Sequence, residues 1–343
     1  MRMQRKNGAI TRNKQIRRKR IFLFFRILIV GFLIGLFAGY SIGKYKFSIS
    51  SQKSKEEISK TYYSEIEDST DTEVISTLKP ETTVVEEAQT ELSDKECIDW
   101  NDDWTYASFS EIHDDCVVLY HSKAENRKDI VVAVNAGHGT PGGDSVRTMC
   151  HPDGSPKVTG GSTAAGQKYA AAISSGMTFL DGTEEAKATL SLALILKDKL
   201  LAGGYDVLMI RETNNCQIDN IARTVYANEN ADCHISIHYD SSESDKGFFY
   251  ISVPNVESYR SMEPVSSHWT EHMNLGDAIL FGIKEEKLKI FGDGSMEIDL
   301  TQTSYSTVPS VDIEVGDKAS DISEETQTKV ADGITKGIAQ YFK

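Results

Sequence analysis

Two histidines and two glutamates of this sequence have the types that a hydrolytic metal site requires. They are His138, Glu185, His238 and Glu314. Two histidines and one carboxylate can bind Zn²⁺ and leave a fourth position for water. A second carboxylate nearby can act as general base on that water. The elements that carry these four residues decide whether they meet.

Three of the four residues belong to short apolar runs. His138 follows residues 130–136, His238 is the last residue of its run, and Glu314 lies within residues 309–316. The aliphatic and β-branched residues of each run predict a short, buried strand. Active sites in parallel sheets collect at the carboxyl ends of the strands. The sequence therefore predicts that these three side chains share one site.

Glu185 opens a predicted helix of residues 185–202, and Gly203 and Gly204 provide its stop signal. Further elements alternate along the chain, with strands at 205–210 and 248–253 and helices at 218–228, 272–283 and 324–342. Strands alternating with helices indicate an α/β fold. We expect a single domain with a mostly parallel twisted sheet flanked by helices.

The N-terminal part differs in charge from the rest of the chain. Residues 1–46 contain twelve Lys or Arg and no acidic residue, whereas the remainder holds 25 basic and 51 acidic residues. Residues 21–43 are apolar except for Arg26, and this length suffices to span a bilayer as a helix. We expect residues 1–20 to be a basic cytoplasmic segment and residues 21–43 to be a transmembrane signal anchor. The alternative is a signal peptide cleaved near Tyr40, which would release the protein.

Residues 44–95 are rich in Ser, Thr, Glu and Lys and predict a flexible acidic linker. A lead-in segment at 96–128 then precedes a catalytic domain predicted for residues 129–343. The five cysteines show no Cys-x-x-Cys spacing, which argues against a structural zinc site. Cys97 and Cys116 flank a compact aromatic stretch and could form a disulfide.

Four motifs of the C-terminal part occur in the order seen in a known family. They are Asn135-Ala-Gly-His-Gly, the Glu185 helix ending before Tyr205-Asp-Val, Ile235-Ser-Ile-His, and Pro309-Ser-Val-Asp-Ile-Glu-Val-Gly. Over about residues 129–343 the chain resembles the zinc-dependent N-acetylmuramoyl-L-alanine amidases, cell-wall hydrolases of the amidase-3 type.

This resemblance implies that His138, Glu185 and His238 bind Zn²⁺ and that Glu314 is the general base. It also implies hydrolysis of the amide bond between N-acetylmuramic acid and L-alanine in peptidoglycan. The alternatives are a zinc peptidase acting on stem peptides and a non-catalytic cell-wall-binding module. The expected partners are peptidoglycan and, through residues 21–43, the lipid bilayer; no nucleic-acid partner is expected. The catalytic domain is expected to be extracytoplasmic.

Two of the site residues have a neighbour of the same type. His234 shares a strand face with His238 but lies about 13 Å from it, too far to bind the same metal ion. The family pattern selects His238 as the ligand. Glu184 is adjacent to Glu185, and in relatives the ligand lies about twenty residues before the tyrosine that corresponds to Tyr205. That spacing selects Glu185.

Other residues depart from the family or have open roles. Asp312 stands where the family usually has an apolar residue, and Arg223 is expected to pair with a carboxylate. The insertion, residues 142–182, is longer than in minimal relatives and is expected to wall the substrate groove or restrict access. Within it, a helix is expected only at residues 166–173. Three further histidines are expected at the surface or in loops: His151, His268 and His272.

Overall fold

A computed structural model describes residues 93–113 and 117–343. The predicted cytoplasmic segment, the predicted membrane anchor and almost all of the predicted linker lie outside these residues. Among the helices that are described, none is long and apolar enough to cross a bilayer.

The described part of the chain contains ten strands and six α-helices. The strands are β1 Ser93–Ile98, β2 Val117–Ser122, β3 Val131–Ala136, β4 Arg147–Met149, β5 Tyr169–Ala171, β6 Asp206–Met209, β7 Cys233–Asp240, β8 Phe248–Ser252, β9 Ile290–Glu297 and β10 Ser310–Asp317. The helices are α1 Glu185–Ala202, α2 Asn220–Asn230, α3 Glu257–Arg260, α4 Val265–Glu285, α5 Thr301–Tyr305 and α6 Glu324–Tyr341.

Eight of the strands form one sheet in the order β1-β2-β6-β3-β7-β10-β8-β9. The four strands β6, β3, β7 and β10 run parallel to one another in its centre. At one side β2 is antiparallel to β6, and β1 is antiparallel to β2. At the other side β8 is antiparallel to β10. The predicted α/β class is confirmed, but the sheet is mixed, and the predicted parallel pairing describes chiefly its centre.

Side chains of the central strands alternate between two differently covered faces. On β7, Cys233, Ile235 and Ile237 enter the main core, where α1, α4 and α6 pack. The other face is covered in part by α2, through residues such as Ala222 and Tyr226. By alternation, four side chains of β7 lie on this second face: His234, Ser236, His238 and Asp240. Since α2 covers only part of it, the second face can hold a site.

The lead-in segment contributes to this sheet. Strand β1 begins at Ser93, inside the predicted linker, and pairs with β2 at the sheet edge. Cys97 of β1 is disulfide-bonded, whereas Cys150, Cys216 and Cys233 are buried and form no disulfide. The predicted disulfide partner of Cys97 is Cys116, which lies outside the described residues.

The insertion has little regular structure beyond the hairpin of β4 and β5. The expected helix at residues 166–173 is wrong, because β5 occupies Tyr169–Ala171 in that range. Only three residue pairs join the hairpin strands, in the register that starts with Arg147 opposite Ala171. Strands this short carry too weak an alternation to be recognised in the sequence.

Candidate active site

Three of the predicted site residues come together at the carboxyl ends of β3 and β7. His138 follows β3, Glu185 is the first residue of α1, and His238 lies in β7. Glu185 Oε1 is 2.9 Å from His138 Nε2 and 3.3 Å from His238 Nδ1. The two histidine nitrogens are 3.0 Å apart. These three atoms form the group of potential metal ligands found in the described residues.

The hydrogen bonds of His138 fix which of its ring nitrogens faces the site. His138 Nδ1 lies 2.9 Å from the carbonyl oxygen of Ser174, which can only accept a hydrogen bond. Nδ1 therefore carries the proton. In the neutral ring Nε2 then presents a lone pair to Glu185 and His238. Burial lowers the pKa of His138, which favours this neutral form.

Backbone amides hold the Glu185 carboxylate. The amide of Met177 donates to Oε2 at 2.8 Å, and the amide of Tyr239 donates to Oε1 at 3.0 Å. Burial opposes ionisation of Glu185, but the close approach of the His138 and His238 rings holds its pKa well below the usual range. The group is therefore a carboxylate that faces two imidazole nitrogens.

The separations among the three ligand atoms fit a tetrahedral cation site. Ligands bound tetrahedrally at 2.0–2.1 Å lie about 3.3 Å from one another. The observed separations of 2.9, 3.0 and 3.3 Å are close to this value. Lone pairs so close together repel unless a positive charge lies between them. Burial lowers the pKa of His238, but the carboxylates of Asp312 and Glu185 raise it to about 9. The surroundings of this ring therefore favour a positive charge.

Two glycines allow this packing. A Cβ on Gly137 would lie 2.3 Å from the His238 ring. A Cβ on Gly176 would lie 2.8 Å from the His138 ring and 2.9 Å from Glu185 Oε2. Gly176 also has φ +80°, which disfavours residues with a side chain. Any side chain at either glycine would displace a ligand.

Two buried arginines hold the His138 turn, residues 136–139, in which His138 itself has φ +64°. Arg223 donates to the carbonyls of Ala136 at 2.8 Å and His138 at 2.6 Å. Arg211 donates to the carbonyls of Ala136 at 3.0 Å and Gly137 at 2.8 Å. The expectation that Arg223 pairs with a carboxylate is wrong, since its partners are the Asn135 side chain and backbone carbonyls. Sequence reasoning missed Arg211, which follows an apolar strand with no motif around it.

Sheet register places Glu314 beside the potential ligands. Glu314 of β10 pairs with His238 of the parallel strand β7, so both side chains lie on the same face. Its Oε2 is buried and has no hydrogen-bond partner among the described residues. Burial and the neighbouring Asp312 raise the pKa of Glu314 well above its usual value. An unpartnered carboxyl group with a raised pKa is suited to exchanging protons.

Asp312 lies on the same face as Glu314, two residues earlier, opposite Ser236 in the register. Its Oδ2 is 3.7 Å from His238 Nε2. Burial raises the pKa of Asp312 to about 6, although His238 opposes this rise. Asp312 thus faces the ring of a potential ligand from the side remote from the other two.

These side chains line a groove of about 690 Å³. The same groove is lined by residues of the insertion, including Lys157, Ser162, Thr163 and Ser174. The insertion therefore forms part of the groove wall. Ser174 and Gly176 contact the potential ligands, and the sequence did not reveal them. Ser174 acts through its backbone carbonyl and Gly176 through its lack of a side chain, and neither role leaves a pattern in the sequence.

The remaining histidines are more buried than expected. His234 is fully buried and its Nδ1 lies 3.3 Å from the Ser310 hydroxyl, as expected for a core histidine rather than a ligand. The expected surface or loop position is wrong for His272, which is buried in α4 and accepts from the Ser310 amide at 3.0 Å. His151 lies in a loop, as expected, but its side chain is buried near Asp299. His268 is partly exposed.

Comparisons with known proteins agree with this arrangement. The amidase-3 family, described as N-acetylmuramoyl-L-alanine amidase, matches residues 132–340. Among solved structures, the N-acetylmuramyl-L-alanine amidase Ami1 from Mycobacterium smegmatis aligns with a TM-score of 0.52 and 19% identity, over 63% of this chain and 98% of its own. The apo form of Ami1 from Mycobacterium abscessus aligns with a TM-score of 0.51 and 21% identity, over 63% of this chain and 99% of its own. These two likenesses support the fold, and no curated protein sequence matches the chain.

The family match extends from β3 to α6, so it includes all four predicted site residues. The predicted amidase activity is thereby confirmed over the alternatives of a peptidase or a binding module. The chain belongs to the N-acetylmuramoyl-L-alanine amidase family, whose members hydrolyse the amide between N-acetylmuramic acid and L-alanine in peptidoglycan.

Proposed function

We propose that this amidase works as a zinc enzyme in which His138, Glu185 and His238 hold the metal and Glu314 is the general base. One observation carries the proposal: two imidazole nitrogens and one carboxylate oxygen converge within 3.3 Å of one another. Nitrogen and oxygen donors in this number and geometry are typical of catalytic zinc sites, which leave a fourth position open. The family is also generally zinc-dependent.

When bound, Zn²⁺ would lower the pKa of a coordinated water and polarise the scissile carbonyl group. Glu314 stands beside His238 on the same sheet face and has no competing hydrogen-bond partner among the described residues. It can take a proton from the attacking water and deliver it to the amine of L-alanine as that amine leaves. Ser174, Met177 and Tyr239 keep the ligand side chains oriented through backbone groups.

Metal analysis of the purified full-length protein tests the ligand set. We expect about one Zn²⁺ per chain. His138→Ala and His238→Ala should each lose most of it. The control is His268→Ala, because His268 is a partly exposed histidine of α4 that is not among the potential ligands. Full zinc content in both ligand variants would exclude this site.

We further propose that the catalytic domain acts outside the cytoplasm, tethered through residues 21–43. The basic residues before this apolar run and the peptidoglycan substrate of the family support the proposal. N-terminal sequencing of the protein isolated from cells tests it. An intact N-terminus in the membrane fraction is expected, whereas a new N-terminus near Tyr40 would show a cleaved signal peptide.

A further inference from the structure

Within the insertion, the chain between β4 and β5 is fixed by its own backbone. Lys157 donates its amide to the carbonyl of Gln167 at 2.9 Å and accepts from the amide of Gly166 at 2.8 Å. The amide of Cys150 donates to the carbonyl of Lys168 at 2.9 Å. These bonds prolong the β4–β5 hairpin, so Lys157 occupies a defined position.

Asp299 ties this hairpin to the chain that precedes α5. Its buried carboxylate accepts from the amides of Val158 at 2.6 Å and Thr159 at 3.1 Å, and from the Thr159 hydroxyl. His151 Nε2 lies 3.2 Å away. Burial opposes ionisation, but the nearby His151 ring and the hydrogen bonds from Thr159 and Val158 keep the pKa of Asp299 below its usual range. Several donors thus share the negative charge of Asp299.

The same carboxylate orients the ammonium group of Lys157. Lys157 Nζ lies 3.0 Å from Asp299 Oδ1 and also donates to the Asp299 carbonyl. An ammonium group has three donors, so one remains. The Lys157 side chain is only 6% exposed, yet it lines the groove that contains the proposed zinc ligands. A buried cation with a spare donor on a substrate groove can bind an anionic group.

Two hydroxyl groups lie on the same stretch of the groove wall. Ser162, which is exposed, and Thr163, which is half-buried, both line the groove. Gly161, before them, packs toward Ile298, with only 3.5 Å between an added Cβ and the Ile298 side chain. The Gly-rich segment therefore presents two hydroxyl groups to the groove, beside Ile298.

We propose that Lys157, Ser162 and Thr163 form a subsite that binds a carboxylate of the substrate's stem peptide. This inference rests on the proposed function, in which the scissile amide lies at the metal ligands. On one side of that amide the substrate carries sugar hydroxyls, and on the other it carries a peptide with at least one free carboxylate. Asp312 and Glu314 would repel such a carboxylate near the ligands. Lys157 supplies the attraction elsewhere in the groove.

The test uses pairs of muramoyl peptides that differ only in carrying a carboxylate or a carboxamide on the peptide. Full-length Lys157→Met is expected to lose roughly 10- to 100-fold in kcat/KM on the carboxylate substrate, since hydrogen bonds to charged groups have about this effect. The loss should be in KM and should be much smaller on the carboxamide substrate. Lys246→Met is the matched control, because Lys246 also lines the groove and also pairs with an aspartate, Asp240, but does not belong to the proposed subsite.

A purely structural role for Lys157 predicts something different. Losing the partner of buried Asp299 would then lower cleavage of both substrates equally, and this result would overturn the subsite. The double change Ser162→Ala with Thr163→Val leaves the Asp299 contacts intact and should produce a several-fold loss on the carboxylate substrate alone. If Lys246→Met instead abolishes the preference, the carboxylate lies at Lys246 and the assignment to Lys157 is wrong.

Binding of the cleaved peptides separates this inference from the proposed function. Calorimetry with the free peptide, as carboxylate and as carboxamide, needs no catalysis. Tighter binding of the carboxylate form, lost in Lys157→Met, supports the subsite even if the metal assignment fails. Equal binding of both forms overturns it, whereas a protein without zinc and without activity overturns the proposed function.

Discussion

The central sheet and the insertion both contribute to the site, but they do so through different chemical groups. The sheet supplies side chains, His238 and Glu314, which neighbour each other because β7 and β10 are in parallel register. The insertion supplies backbone groups, the carbonyl of Ser174 and the amide of Met177, which bind the proposed ligands. Its path includes several glycines with positive φ rather than long regular strands. The sheet therefore determines which reactive groups meet, and the insertion determines how two of them are oriented.

This contrast suggests that the two regions can be disturbed separately. A change at Glu314, the proposed base on the sheet, should remove chemistry while metal binding persists. A change in the insertion should weaken metal binding while the reactive groups remain in place.

The largest effect is expected from Glu314→Gln. Gln keeps the shape but cannot accept the proton, so kcat should fall by about 10²- to 10⁴-fold with zinc retained. Release of peptides that begin with L-alanine measures the activity, and metal analysis measures the zinc. Asp312→Asn is the matched control on the same strand face and should have a much smaller effect. A larger loss in Asp312→Asn would transfer the role of base to Asp312, and zinc loss in Glu314→Gln would make Glu314 a ligand.

A smaller effect is expected from Gly176→Ala in the insertion. The added methyl group would meet both His138 and Glu185, and zinc affinity should fall about 10- to 100-fold, as for other changes to groups that orient ligands. Competition with a chelator measures this affinity. Gly166→Ala is the matched control, since Gly166 has a similar φ of +86° but nothing within 4 Å of an added Cβ. If zinc affinity falls equally in both variants, backbone strain causes the loss, and contact of the added methyl group with His138 and Glu185 does not.

The smallest effect is expected on the pH dependence of folding stability, through two buried histidines, His234 and His272. Burial lowers the pKa of both His234 and His272 to about 3. In the unfolded chain both histidines have a pKa of about 6.5. Between about pH 3 and about pH 6.5 the unfolded state therefore binds more protons than the folded state. The free energy of unfolding should therefore be unaffected above pH 6.5 and fall below it, by up to about 1.4 kcal/mol per pH unit for each histidine.

Urea unfolding with a chelator present, at pH 7 and at pH 5.5, measures this dependence. His272→Asn keeps an acceptor for the Ser310 amide but does not titrate, so its stability should fall less on acidification than that of the unmodified protein. An identical fall in both proteins would show that His272 is not protonated on unfolding.

The sequence predicted the sheet-borne part of the site well, for a physical reason. Apolar runs such as residues 233–238 alternate between a core face and a polar face, so they indicate both a strand and the side on which His238 lies. The helix that starts at Glu185 carries a clear apolar pattern and a glycine stop, and its bounds were predicted closely. Local patterns of this kind are visible because neighbours in the chain produce them.

Other features depend on partners that are distant in the chain, and the sequence did not reveal them. Arg223 bonds backbone carbonyls of the His138 turn, and no pattern around an arginine distinguishes a carbonyl from a carboxylate partner. His272 is buried because α4 extends from Val265 to Glu285 and packs on the sheet, whereas the predicted helix began at His272 itself. The wall of the groove at Lys157 depends on Asp299, which is far away in the sequence.

Arg211 and Arg223 hold the His138 turn, and this has a consequence for how the proposed metal ion would bind and dissociate. Their bonds run to carbonyl oxygens. Burial lowers the pKa of Arg211 to about 9 and that of Arg223 to about 10, so both guanidinium groups are charged at neutral pH. The turn is thus secured without help from the ion. If the proposed site binds Zn²⁺, the turn should keep its shape when the ion is removed. Rebinding should then be limited by encounter with the ion and by loss of its hydration water, and no loop has to refold first.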